Sequence, residues 1–154
     1  NVADAIVAYE RLIDAGVRPH DIILYGESLG SGVAVQLAVR RPVAGVVLDA
    51  PYTSAVEVGA QAYPFLPVRL LMLDRYENVR HIGKITAPLL VVHGERDGVI
   101  PVEMGRRLFA AAPEPKEIVV FPLAGHADHH AYGSYEAING WIDRLWESHP
   151  VAGR

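Results

Sequence analysis

Three side chains have the types and the chain order needed to split an acyl bond: Ser28, Asp97 and His126. A serine hydroxyl is a weak nucleophile at neutral pH. It needs a base to take its proton, and the base needs a partner that fixes its tautomer and stabilises its cation. Ser28 is the candidate nucleophile, His126 the candidate general base and acid, and Asp97 the carboxylate that orients it. Ser28 stands in Gly26-Glu27-Ser28-Leu29-Gly30, a G-x-S-x-G pentapeptide whose serine sits on a sharp strand-to-helix turn. Such a turn strains the serine backbone and predicts that side chains two residues to either side would collide. The backbone N–H of Leu29, next after the serine, is the expected donor to an oxyanion. The competing reading is a glycine-rich turn whose serine only caps the following helix.

The elements that must position these residues alternate regularly. Val2, Ala5, Ile6, Tyr9, Leu12 and Ile13 form one face of an amphipathic helix that ends near Gly16, so the chain is expected to start inside an element. Ile22 to Tyr25 is an apolar strand running into the pentapeptide. Val33, Leu37 and Arg41 then continue at helical spacing until Pro42. Val43 to Ala50 and Pro88 to His93 are continuous apolar runs, the mark of strands buried on both faces in a parallel sheet. Pro101 suits a first helical position before Val102 to Ala112. Glu117 to Phe121 is a fourth strand, and Ser134 is placed to cap a last helix with Glu136 in its first turn. A helix followed by four strand–helix units predicts an α/β fold, a three-layer αβα sandwich with a mostly parallel sheet. Ligands in such sheets sit at the carboxyl ends of the strands. Ser28, Asp97 and His126 each fall just beyond such an end.

Bulk properties bound the rest. The 154 residues suit a single domain, 51% of them are apolar and 21% charged, and the net charge is −4. With no basic stripe to neutralise phosphates, a nucleic-acid partner is not expected. The chain has no cysteine, which removes disulfides, a thiol nucleophile and thiolate metal sites. No stretch reaches the length of a transmembrane helix.

The chain resembles the C-terminal part of an α/β-hydrolase-fold serine hydrolase. The resemblance rests on Gly26-Glu27-Ser28-Leu29-Gly30, His93-Gly94-Glu95-Arg96-Asp97 with Val99-Ile100-Pro101, and Ala124-Gly125-His126. The order Ser, Asp, His is that of this superfamily and differs from the two common protease orders. The wording around Leu24 to Gly32, with Asp74-Arg75-Tyr76 and Ile82 to Pro88, is similar to a narrower group. That group includes protein depalmitoylases and bacterial relatives labelled serine-aminopeptidase-like. The resemblance implies cleavage of a carboxylic ester or thioester through an acyl-enzyme, acting on a small-molecule or acylated substrate without a cofactor. Peptidase activity of the serine aminopeptidase type is the rival within enzymes.

One departure from the pattern has consequences. A full domain of this kind begins with further strands and a His-Gly-type loop that supplies a second oxyanion N–H. Nothing before Ser28 can be that loop, because Asn1 to Gly16 reads as a helix. The expectation is a partial domain over residues 1–154 lacking its N-terminal strands, with the Ile22–Tyr25 strand as an exposed apolar edge open to self-association. Losing one oxyanion donor costs about 2.7–4 kcal/mol of transition-state stabilisation in a measured protease. The isolated chain is therefore expected to be weakly active or inactive, and a non-catalytic α/β assembly module is the rival from outside the enzymes. Residues 51–84 read either as a short cap that forms an acyl-binding wall, from Tyr52 to Leu73, or as an ordinary crossover segment. His126-Ala127-Asp128-His129-His130 has a metal-like composition, but His126 is already assigned, so no metal is assigned. Asp49 also ends a strand and is the alternative orienting acid. His93 reads as a satisfied structural histidine, and Arg40-Arg41 and Arg106-Arg107 read as solvated helix faces.

Overall fold

The structure, a computed structural model, describes residues 1–62, 64, 65, 67 and 77–148. Helix α1 (Val2–Asp14) leads through a 3-10 turn (Pro19–Asp21) into β1 (Ile23–Glu27). Then follow α2 (Gly30–Arg40), β2 (Gly45–Asp49), α3 (Ala55–Ala62), the one-turn α4 (Asn78–His81) and β3 (Leu89–Gly94). The chain continues with α5 (Val102–Ala111), β4 (Lys116–Phe121), a 3-10 turn (His129–Tyr132) and α6 (Ser134–Ser148). The four strands form one all-parallel sheet in the order β1-β2-β3-β4.

Both faces of the sheet are covered, which explains the unbroken apolar runs. Side chains alternate across a strand. Val46, Leu48, Leu89 and Val91 pack on one face with Tyr9 of α1, Val35 and Leu37 of α2 and Leu108 of α5. Val47, Leu90 and Val92 point the other way, onto Ile138, Trp141 and Leu145 of α6. This is the expected three-layer sandwich. All five residues of β2 and all six of β3 are buried, whereas β1 lies at an edge with Ile23 and Leu24 half-buried and Tyr25 exposed. Among the described residues no helix is long and apolar enough to cross a membrane.

Helix α1 already runs at Val2 as expected, with the Asn1 side chain accepting from the Asp4 amide. Several local expectations shift. Pro101 is the N-cap of α5 with extended ψ, one place before the first helical position. Ser134 does not cap α6: it is the first helical residue, buried, and its hydroxyl has no hydrogen-bond partner among the described residues. Tyr52 is fully buried, and its hydroxyl donates to the Leu29 carbonyl at 3.3 Å. It therefore steadies the start of α2. Of the other side chains expected to form a cap, Phe65 is exposed, while residues 63, 66 and 68–76 lie outside the described residues.

Candidate active site

Ser28 follows β1 directly and has φ = 50°, in the left-handed region that a side-chain-bearing residue rarely occupies. The conformation is held from three sides. The Ser28 amide donates to the Asp49 carbonyl at 2.8 Å, and the Ser28 carbonyl accepts from both the amide and the hydroxyl of Ser31, at 3.0 and 2.6 Å. Only one of the two flanking glycines is sterically required. A Cβ on Gly26 would lie 2.6 Å from the Gly30 carbonyl and 2.8 Å from Ser31 Cα, whereas a Cβ on Gly30 would meet nothing within 4 Å. The expectation of collision on both sides thus holds for Gly26 and fails for Gly30, which opens α2 into free space. Ser28 is not a helix cap either, since Leu29 occupies the N-cap position of α2 without a side-chain capping bond. No hydrogen bond to the Ser28 hydroxyl or the Leu29 amide is found among the described residues. Leu29 itself is 70% exposed, so its amide stands at an open surface.

Asp97 and His126 meet. His126 Nδ1 lies 2.8 Å from Asp97 Oδ2. Asp97 Oδ1 accepts from the amides of Val99 and Ile100, both at 2.8 Å. The buried carboxylate is also 3.3 Å from His93 Nε2. Burial on its own would raise the Asp97 pKa. The hydrogen bonds from His93, His126 and the Ile100 and Val99 amides outweigh it and hold the group at about 2, below its ordinary 3.8. Asp97 is therefore ionised at neutral pH and can only accept, so His126 donates from Nδ1. Neutral His126 then carries its lone pair on Nε2, the tautomer a general base requires. The His126 side chain stays 24% exposed while that of Asp97 is enclosed.

Gly94 makes this meeting geometrically feasible. The loop after β4 crosses the tip of β3 so closely that a Cβ on Gly94 would lie 2.4 Å from the carbonyls of both Ala124 and Gly125. The Arg96 amide donates to the Ala124 carbonyl at 2.9 Å, and the Glu95 amide to the Phe121 carbonyl at 3.0 Å. The Gly in His93-Gly94-Glu95-Arg96-Asp97 thus lets two loops share one strand end.

Asp49, the alternative acid, faces elsewhere. Its Oδ2 accepts from the Tyr25 hydroxyl at 2.6 Å, and its Oδ1 lies 2.7 Å from His129 Nε2. Burial first, and the Asp49 carboxylate second, push the Tyr25 phenol well above its ordinary pKa. The histidine-rich run is dispersed. His126 takes Asp97, His129 turns to Asp49, Asp128 accepts from the Gly125 amide at 2.6 Å, and His130 is exposed beside the Tyr135 ring. Among the described residues no group of three or more such side chains could hold a metal ion. His93 is only half satisfied. Its Nε2 lies 2.8 Å from the Ile100 carbonyl, but its Nδ1 is buried without a hydrogen-bond partner.

The architecture recurs in solved structures. The esterase domain of a Rhodothermus marinus protein superposes with a TM-score of 0.74 at 22% identity, covering 94% of this chain and 68% of that one. A puromycin-hydrolysing peptidase of Mycobacterium tuberculosis superposes with a TM-score of 0.77 at 18% identity, covering 99% of this chain and 26% of that one. The chain has the α/β-hydrolase fold. An α/β-hydrolase domain-containing protein 17B of Homo sapiens is 38% identical over 120 residues, covering 78% of this chain and 40% of that protein. An uncharacterised Mycobacterium tuberculosis protein is 50% identical over 127 residues, covering 82% of this chain and 45% of that protein. No protein-family model matches. This α/β-hydrolase-fold chain therefore spans less than half the length of the curated relatives it matches.

Sequence reasoning missed two features of the site. His93 supports Asp97 from the far side, and Asp49 gathers Tyr25 and His129 beside Ser28. The first signal was present: His93 and Asp97 are four residues apart across one tight turn. The second came from residues 25, 49 and 129, which no local pattern connects. A cleft of about 490 Å³ lined by Arg18, Pro42, Thr86, Pro88 and Trp146 opens at the amino ends of the strands, remote from all of these residues.

Proposed function

We propose that the chain carries the nucleophile, base and orienting acid of a serine hydrolase that cleaves carboxylic esters or thioesters through an acyl-enzyme. The observation that carries this reading is the pairing of His126 Nδ1 with an ionised, buried Asp97 beyond β3, at the end of the sheet where strained Ser28 follows β1. A hydroxyl not engaged in capping, a histidine in the basic tautomer and a carboxylate kept charged are the parts acyl transfer needs. In the proposed reaction Ser28 Oγ bonds to the acyl carbon and His126 Nε2 takes the hydroxyl proton. The bond to the leaving alcohol or thiol then breaks, and His126 returns the proton to that leaving group. Water repeats the cycle on the ester formed with Ser28, releasing the acid. The strain at Ser28 supports a nucleophile elbow, and the unpartnered Leu29 amide supports an oxyanion donor.

Intact-mass labelling with a fluorophosphonate tests the reading. Ser28 Oγ forms the P–O bond, fluoride leaves, and one adduct appears in the wild type and is missing from Ser28→Ala. A folded chain that takes no adduct, alone and when joined to the corresponding preceding segment of a longer relative, refutes the serine-hydrolase reading and leaves an α/β assembly module. Amide substrates form the second reading, favoured by the likeness to a puromycin-hydrolysing peptidase. Acyl esters and thioesters compared with aminoacyl amides separate the two.

A further inference from the structure

The loop from Pro122 to Gly133 carries three histidines, and two of them, His126 and His129, each meet a carboxylate. His126 takes Asp97 beyond β3. Three residues later His129, only 4% exposed, turns its Nε2 to within 2.7 Å of Asp49 Oδ1 at the end of β2. Asp49 is 1% exposed and is held at the end of β1: its carbonyl accepts the amide of Ser28, just past β1, and its Oδ2 accepts the hydroxyl of Tyr25 within it. The first half of the loop is fastened to the β3–β4 end by the Arg96–Ala124 and Asp97–His126 bonds. The second half reaches the β1–β2 end through His129. A buried carboxylate needs a partner, and here that partner comes from the loop that holds His126.

We propose that Asp49 and His129 form a positioning pair that fixes the His126 loop relative to Ser28, so that the base and the nucleophile keep their register. This rests on the serine-hydrolase reading for its consequence but not for its geometry. Neither residue touches the reacting atoms. The approach of His129 to Asp49 is off the hydrogen-bond direction, and Asp49 Oδ1 and His129 Nδ1 both lack a hydrogen-bond partner among the described residues. The pair is thus a close contact of low directional stiffness, held from the other side by Tyr25. A side chain at 129 too short to reach Asp49 would release the loop.

Three variants of the full chain test the pair: His129→Ala, His129→Gln and Asp49→Asn. Each is measured for the second-order rate of Ser28 acylation by a fluorophosphonate and for amide hydrogen exchange. We expect His129→Ala to slow acylation about tenfold to a hundredfold and to speed exchange across residues 122–133 by a similar factor, with the amides of β2 and β3 unchanged. His129→Gln, whose side-chain amide can still donate to Asp49, recovers most of both, which a general loss of packing would not. Asp49→Asn behaves as His129→Ala does, with a folded core. The proposal is overturned if His129→Ala leaves loop exchange at the wild-type rate, or if His129→Gln is no better than alanine. Should the wild type take no adduct at all, the hydrolase reading falls, and loop exchange in the same variants still decides whether the pair holds the loop.

Discussion

Replacing Asp97 by asparagine keeps the shape of the side chain and removes its charge, so it measures what the charge does. The folded-state pKa is about 2 against an ordinary 3.8, a depression of nearly two units. At 1.36 kcal/mol per unit this is about 2 kcal/mol of native stability carried by the ionised form. The sign follows from a folded pKa below the unfolded one. The contribution is complete above about pH 5 and is lost as pH falls through 3.8 towards 2, with about 1 kcal/mol gone by pH 3. Urea unfolding followed by the fluorescence of buried Trp141 should therefore show Asp97→Asn about 2 kcal/mol less stable than wild type at pH 6, with the gap halved at pH 3. The chemistry should fall far more than the stability. The amide that Asp97→Asn turns towards His126 Nδ1 donates instead of accepting, moves the imidazole proton to Nε2 and leaves no base, so Ser28 labelling should drop by about 10³–10⁴-fold. A stability gap that stays constant between pH 6 and pH 3 would refute the claim that the surrounding hydrogen bonds hold this carboxylate in its charged form.

Three further outcomes follow from contacts at the same strand ends and on the first helix. Gly94→Ala drives a Cβ against the Ala124 and Gly125 carbonyls, so thermal melts should show a loss of about 1–3 kcal/mol and Ser28 labelling should fall with it. Gly26→Ala and Gly30→Ala should differ although both alter the same pentapeptide: the first costs about 1–3 kcal/mol by backbone collision, the second is neutral or stabilises by up to about 1 kcal/mol. Tyr9→Phe removes the 2.7 Å bond from the Tyr9 hydroxyl to the Pro42 carbonyl, and denaturant unfolding should register a loss of about 1 kcal/mol without any change in labelling.

The sheet was legible because its strands obey a rule that needs no tertiary information. Runs such as Val46-Val47-Leu48 and Leu90-Val91-Val92 are apolar at successive positions because helices cover both faces, and that burial is written directly into the residue types. Turn and cap chemistry was less legible, because it depends on which neighbour competes for a group. Ser134 has the side chain of an N-cap, yet it sits one place inside α6, after Gly133 turns the chain at φ = 99°. Nor does the local sequence of Tyr52 signal its full burial or its bond to the Leu29 carbonyl.

At the candidate site the same division separates what local sequence encodes from what only the sheet brings together. Ser28, Asp97 and His126 could be picked out because each lies just past its own strand, and a parallel sheet places all such positions at one end. Asp49 meets that criterion as well as Asp97 does, and position alone could not rank them. What ranks them is the crossing of the loop after β4. Gly94 lets Ala124 and Gly125 lie directly on the tip of β3, which brings His126 to Asp97 and, three residues further on, leaves His129 for Asp49. The two carboxylates thus take one histidine each from a single loop. The pairing of Asp97 with His126 rests on a steric vacancy at a glycine, which carries no functional group of its own.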